Sequence, residues 1–398
     1  MKKNFKSAIF PLISLIIIIC RFISIKFVPD VYCDEQDILN HIQSIITTGY
    51  DTNGNHLPLF PIVGAGRATF PYLYPMLLFL SFFGVTAVNA RFIQQILTII
   101  ACLLTSYSVK LWINKKDIFW FTFLTSLTLP WGFVQANRIW DPSFVPVYFA
   151  IYFFFFTLSM KKSTSPIYQN IYATIALSSL VLLATVYPPA RIPAVAIWIY
   201  SFVWLMKDKQ IKLPLILIII IVSTILSLPL AFNLLNPDFN SRTADLLVFG
   251  QDTGLYHQLL SFADNFVELF NPLFLFVTGD TNYRHSLPIF GMLGTLSFVP
   301  LICLFRSEKY SPLTKFMFFS IVTTYLSVAL TRGQQPHSLR SCLAWLPFTI
   351  LIATGWSKFL EPRSKRFHVI CYVFVALQFI VYFATYILYY NHIAPHII

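Results

Sequence analysis

Charge is what this chain has least of. Only 11% of its 398 residues are Asp, Glu, Lys or Arg, against roughly 25% in an ordinary soluble domain, while 57% are apolar. That shortage excludes a soluble globular chain. Cysteine is scarce as well: of Cys20, Cys33, Cys102, Cys303, Cys342 and Cys371, only Cys33 stands clear of an apolar run, so there is no disulfide framework and no metal-ligand cysteine spacing. No Gly-x-Ser-x-Gly element occurs, which leaves elbow-type nucleophilic hydrolysis without support. No internal repeat or low-complexity tract is visible, which weighs against an inverted-repeat transporter. The apolar strings lack the period-two alternation of an outer-membrane barrel, so the spans are helices. The formal net charge of +12 does not indicate nucleic acid, because the basic residues are scattered singly between apolar runs and form no face. Gly64-Ala65-Gly66-Arg67 has no strand before it and no Rossmann-type helix after it, so it reads as a plain turn and not a phosphate cradle.

What is present is apolar length. Forty-one Phe, twenty Tyr and eight Trp fit a helical bundle with aromatic interfacial belts. Met1-Lys2-Lys3 and the apolar stretch to Cys20 superficially resemble a lipoprotein signal, but bulky residues precede Cys20 and the run continues to Val28, which favours an uncleaved first span. Apolar windows and breakers predict eleven spans, at 8–28, 87–110, 118–135, 143–160, 168–186, 190–206, 212–233, 288–305, 313–331, 339–357 and 368–390. A shorter proline-punctuated piece, Phe70 to Phe83, is expected to be re-entrant or interfacial. The fold class expected is therefore an all-α polytopic membrane protein, a single integral membrane domain over 1–398 with two long outer loops, 29–86 and 234–287, carrying amphipathic segments such as Ile38 to Ile46 and Leu259 to Phe270.

With the N-terminus inside, 18 of the 28 basic residues fall in short inner segments, as the positive-inside bias requires. The inner set is fifteen Lys and three Arg, whereas the outer set is Lys26 and nine Arg: Arg21, Arg67, Arg91, Arg138, Arg191, Arg242, Arg284, Arg332 and Arg340. Twelve of the sixteen acids also lie outside, all but Asp117, Asp208, Glu308 and Glu361. Lysine suffices to set topology, while arginine's planar fork suits carboxylate and phosphate. Any chemistry is therefore expected to face outward.

The first candidate constellation is Asp34-Glu35 with Asp37, just past the outer end of the first span. A carboxylate there can serve as general base toward an acceptor or ligate a divalent cation; it can equally be a solvated acidic helix start. Further along come Asn137-Arg138 with Asp141, Tyr187-Pro188-Pro189-Ala190-Arg191, Phe274-Leu275-Phe276 through Gly279-Asp280 and Arg284-His285, and Pro336-His337-Ser338-Leu339-Arg340.

Taken in order, these elements resemble the GT-C superfamily of membrane glycosyltransferases. Within it they are most similar to the protein O-mannosyltransferase and aminoarabinose-transferase branch, the bacterial glycosyltransferase family 39. The long first helix, its outward Asp-Glu, the amphipathic segment reaching Gly49-Tyr50, Pro58-Leu59, and Phe83-Gly84 before Arg91 carry the same resemblance. It implies a GT-C-type bundle and an inverting transfer of a sugar from a polyprenyl-phosphate donor to a protein, lipid or glycan acceptor on the outer face of the cytoplasmic membrane. Asp34 would orient or deprotonate the acceptor, with Glu35 in support. Arg138, Arg191, Arg284, His337 and Arg340 would hold the donor phosphate and stabilise the charge that builds on it. Arg67, Asp141, Tyr187, Asp280 and His285 complete the candidates; Arg21 and Lys26 stay unassigned. No cofactor is required, and a divalent metal is admitted without being demanded. The expected partners are the lipid-linked sugar, an acceptor and the bilayer, with no nucleic acid. The sequence stops soon after the last expected span, short of the extra spans and soluble outer domain of many such enzymes, so the resemblance does not carry the acceptor. Two rival functions use a similar arginine set: a flippase or transporter of lipid-linked sugars, and a polysaccharide polymerase or ligase leaning on the second loop.

Overall fold

Wherever an apolar run meets proline, glycine or charge, the backbone changes direction. In a computed structural model, which describes residues 2–392 apart from 29–30, 65, 162–163, 208–212, 237–238, 240–243, 251–252, 283, 288, 307–310 and 334, these runs form fifteen α-helices among the described residues. They are α1 (Lys2–Ser24), α2 (Cys33–Thr48), α3 (Phe70–Phe83), α4 (Ala87–Ile113), α5 (Lys116–Thr128), α6 (Pro130–Ala136), α7 (Val145–Ser159), α8 (Pro166–Val186), α9 (Arg191–Lys207), α10 (Leu213–Leu234), α11 (Leu255–Glu268), α12 (Phe298–Phe305), α13 (Pro312–Ala329), α14 (Trp345–Leu360) and α15 (Lys365–His392). Lys162, Lys209, Lys212, Lys309 and Arg242 lie outside the described residues.

Among the described residues ten helical segments are long and apolar enough to cross a membrane, and nine coincide with expected spans, so the chain is a multi-pass, all-α membrane protein. Two expected spans are corrected. The segment predicted at 288–305 is helical only over Thr295–Phe305, because Gly294, at φ +68°, breaks the run before it. The segment predicted at 118–135 is two helices, α5 and α6. One segment is gained: Leu255–Val277, expected to lie amphipathic at the interface, is long and apolar enough to span. A small exception to the all-helical reading is a hairpin pairing Ile62 with Arg67 and Val63 with Gly66.

Helix α14 lies at the centre, with 83% of its span buried, while the span of α10 is only 17% buried. Ile218, Ile221 and Ile225 of α10, Leu12 and Leu15 of α1, and Phe374 of α15 are exposed. An apolar belt of this kind would aggregate in water and is solvated by lipid chains in a bilayer. Helix α4, about 40 Å long at 1.5 Å per residue, sets the distance between the two ends. At one end Arg91 meets the first turn of α2; at the other Lys115 pairs with Glu361 at 2.9 Å, beside a cavity of about 350 Å³ lined by Asp117, Phe121 and His368.

The break between α5 and α6 is the irregularity that matters most. Pro130 has no N–H and forces its predecessor out of the helical region, and Leu129 is extended, at φ −65° and ψ 129°. In a low-dielectric interior the backbone groups released there need partners. Arg21, fully buried near the end of α1, supplies them: Nη1 donates to the Leu127 carbonyl at 2.8 Å and Nη2 to the Gly132 carbonyl at 2.9 Å. Its Nε donates to Gln95 Oε1 at 3.0 Å, and Gln95 Nε2 in turn donates to Asn137 Oδ1 at 2.9 Å. The freed Trp131 N–H donates to the Met292 carbonyl at 3.1 Å. An Arg21→Met chain keeps the volume and strands three buried acceptors. At about 1 kcal/mol or more each, this is expected to cost about 3 kcal/mol, read as a lowered thermal midpoint of the detergent-solubilised protein; an unchanged midpoint would show that Arg21 does not hold the break.

Candidate active site at the arginine-rich end

The first turn of α2 holds the acidic pair, and the structure gives its two members different work. Glu35 is the third residue of α2 and accepts the Tyr32 N–H on Oε2 at 3.1 Å, the backward reach that caps a helix start. Its Oε1 accepts the Ile139 N–H at 2.7 Å, across 104 residues. Arg91 of α4 stands 3.4 Å from Oε2, both side chains buried. Glu35 therefore ties α2, α4 and the segment after α6 together. Asp34, one residue earlier, is exposed. Cys33 Sγ lies 3.7 Å from its Oδ1, and the tip of the hairpin approaches the same oxygen. Gly64 at that tip adopts φ +51°, and a β-carbon on it would stand 2.5 Å from Asp34 Oδ1, so only glycine lets the hairpin close over the acid. Asp37 Oδ2 accepts the Gly64 N–H at 3.2 Å.

The Glu35 bond to Ile139 fixes Arg138, whose buried guanidinium lies over the Tyr32 ring at 4.8 Å. The exposed Arg284 lies over the same ring at 4.4 Å. Two residues from Asp34, therefore, one aromatic ring gathers cations from positions 138 and 284. Tyr32 was not a sequence candidate; its place directly before the Cys-Asp-Glu run was the available signal. A second ring does the same for another pair: Arg67 and Arg191 lie over Phe239 at 5.5 and 5.8 Å. Arg67 also donates to the Phe60 carbonyl at 3.2 Å. Among the described residues Arg67, Arg191 and Arg284 form no ion pair, so their charge is not neutralised by carboxylates.

The remaining candidates complete the same end of the bundle. Asp141 is buried against Thr69, and Thr69 Oγ1 donates to the Val186 carbonyl at 3.3 Å, next to the extended Tyr187 where α8 gives way to α9. Ser327 Oγ donates to the Pro189 carbonyl at 2.7 Å, bringing the end of α13 to the Tyr-Pro-Pro-Ala turn. Arg340 is spent on its own loop, donating to Thr331 Oγ1 at 2.8 Å and the Arg332 carbonyl at 2.6 Å.

Beside Arg284 lies a compact polar cluster. Asp280 Oδ2 accepts both the Ser338 N–H at 2.7 Å and its hydroxyl at 2.9 Å. His285 Nδ1 and His337 Nδ1 stand 3.5 and 3.9 Å from the same oxygen, and the two imidazoles stack at 4.6 Å. Trp140 packs edge-on against His285 at 5.6 Å. Burial, reinforced by His285 and Arg340, pushes His337 down to about 3, so it is neutral at pH 7. Burial alone would raise the Asp280 carboxyl, but His285, His337 and the Asn282 N–H together hold it below the usual carboxylate range. The loop is fixed to the core by Trp131 Nε1, which donates to the Ser338 carbonyl at 2.9 Å across 207 residues.

No family model matches this chain, and no curated protein does. Two solved structures match its fold. ArnT from Cupriavidus metallidurans bound to undecaprenyl phosphate superposes with a TM-score of 0.58 at 12% identity, over 97% of this chain and 74% of that one. ArnT from the same organism in the apo state gives 0.58 at 11% identity, over 93% and 62%. The chain thus shares the fold of these two ArnT structures.

The two acids predict opposite results. Glu35→Ala leaves Arg91 charged and buried without its carboxylate, which is expected to cost about 3–5 kcal/mol. Asp34→Asn, at the surface, should stay within about 0.5 kcal/mol of the parent. Thermal unfolding of the two purified variants side by side checks this, and equal midpoints would refute the division of labour.

Proposed function

We propose that this chain is an inverting glycosyltransferase that moves a sugar from a polyprenyl-phosphate donor to an acceptor on the outer face of a cytoplasmic membrane. The observation that carries the reading is the exposed Asp34 carboxylate two residues from a ring over which the guanidinium groups of Arg138 and Arg284 converge. The ArnT neighbour bound to undecaprenyl phosphate supplies the class of donor. The lysine-rich turns at the other end favour an inward-facing N-terminus, which turns the arginine-rich end outward.

The chemistry balances with one base. The acceptor's nucleophilic atom attacks the anomeric carbon from the face opposite the phosphate. The bond from that carbon to the phosphate oxygen breaks, its electron pair leaves with the polyprenyl phosphate, and Asp34 takes the acceptor proton. A phosphate leaves without the second carboxylate that glycosidases use as an acid. What it needs is fixed positive charge where the negative charge grows. Arg284 and Arg138 at Tyr32, and Arg67 and Arg191 at Phe239, carry that charge. His337 and Arg340 line the neighbouring loop, and Tyr187 and Asp141 shape the floor. Glu35 positions Arg138 through Ile139. The prenyl chain lies along the lipid-exposed helices.

Asp34→Asn should lower release of polyprenyl phosphate from a polyprenyl-phosphate sugar by about 10²-fold or more, and Arg284→Gln by about 10²-fold. Both are measured with purified protein in detergent while the fold, followed by its unfolding midpoint, is retained. Near-normal turnover of Asp34→Asn would remove this mechanism. Arginine dependence with no sugar release at all would point to a carrier of lipid-linked sugars.

A further inference from the structure

Asp280, His285 and His337 come from two loops, before α12 and before α14, yet they present three ligand atoms all within 4.8 Å of one another. The two histidines have features that a hydrogen-bonded cluster does not explain. His285 is more than nine-tenths buried and its Nδ1 makes no hydrogen bond, although it stands 3.5 Å from Asp280 Oδ2. His337 Nδ1 faces the same oxygen at 3.9 Å, and its one hydrogen bond is a long 3.5 Å contact from the Arg340 N–H. Asp280 Oδ2 is oriented by both donors of Ser338, and Oδ1 by the Asn282 N–H at 2.8 Å. Metal-binding carboxylates are held by just such outer contacts.

We propose that these three residues bind a divalent cation of the zinc class through Asp280 Oδ2, His285 Nδ1 and His337 Nδ1. A tetrahedral zinc with bonds near 2.1 Å separates its ligand atoms by roughly 3.4 Å; the two carboxylate-to-imidazole gaps exceed that by no more than roughly 0.5 Å. Two imidazoles with one carboxylate select zinc-like ions over magnesium or calcium, which take oxygen ligands. The carboxylate offsets one of the two positive charges. Three protein ligands leave a fourth position open to water or an anionic oxygen, and the partly exposed edge of His337 gives the ion a way in. Gly279, at φ +69°, makes the turn that brings Asp280 under the histidines, and a β-carbon there would run into the Ser286 hydroxyl.

The inference stands without the sugar-transfer reading, because binding is measured without turnover. Full-length protein in detergent is stripped with a chelator, exchanged into metal-free buffer, and titrated with zinc chloride against a chromophoric zinc indicator. One zinc per chain is expected, unaffected by excess magnesium, and accompanied by a rise in the thermal midpoint. His337→Ala and His285→Ala should each weaken binding by about 100-fold or more and abolish that rise, since even outer-shell changes cost about 10–100-fold. Cobalt substituted into the parent protein keeps the proposal testable if a variant fails to fold: visible d–d bands without a thiolate charge-transfer band are expected. No zinc above the detergent blank, zinc held equally by both variants, or a thiolate band implicating Cys33 would each overturn the assignment.

Discussion

Everything at the arginine-rich end depends on one buried cation satisfying a broken helix. A proline in a membrane-embedded helix releases backbone groups into a medium that cannot hydrogen-bond them. Without a substitute donor, the chain at 127–132 would be driven back toward a continuous helix or out to water. Arg21 is that donor, reaching the Leu127 and Gly132 carbonyls together. The offset it permits aims α6 at the loop before α7. There Gln95 and Ser24 bond Asn137 Oδ1, and Ile139 bonds Glu35, so the backbone on both sides of Arg138 is fixed, and its guanidinium lies over Tyr32. The same offset puts Trp131 where its indole N–H reaches Ser338, which orients Asp280. A cation in the first span therefore acts, through backbone carbonyls, on two loops more than a hundred residues away.

The spans were legible because hydropathy needs only local sequence, and nine of the ten long apolar segments coincide with windows read from composition. The errors have physical causes. Pro130 was visible, yet the apolar run on either side hid the break, since hydropathy is blind to backbone continuity. Leu255–Val277 carries His257, Ser261, Asp264, Glu268 and Asn271 at helical spacing, so its amphipathic period suggested an interfacial helix where length permits a span. Arg21 could be recognised as an intramembrane charge in need of partners, but its partners are carbonyls, which leave no mark in a sequence.

The candidate site was legible as types of residue and not as assignments. Asp34 and Glu35 are adjacent and chemically alike, and only the fold distinguishes them: a helix start turns consecutive residues about 100° apart, sending one into the bundle and one out. The pairing of arginines with aromatic rings was equally hidden, because Tyr32 with Arg138 and Arg284, or Phe239 with Arg67 and Arg191, are brought together by topology alone. The Asp280, His285 and His337 cluster joins two loops that the sequence kept 52 residues apart at its widest step.

The choice of rings over acids as arginine partners has an electrostatic consequence. Arg91 meets Glu35 and Lys115 meets Glu361; those pairs are close to neutral seen from outside, and serve architecture. A guanidinium over an aromatic face is held in place by dispersion and the ring quadrupole, yet it keeps its full charge. Holding a cation still without cancelling it is what a site for an anionic leaving group requires, because preorganised charge stabilises growing negative charge without the cost of reorganising solvent or side chains. A carboxylate partner would first have to be displaced by any incoming anion. At the arginine-rich end, ring-held arginines thus stand beside an acid-paired one, Arg91, whose salt bridge with Glu35 ties helices together.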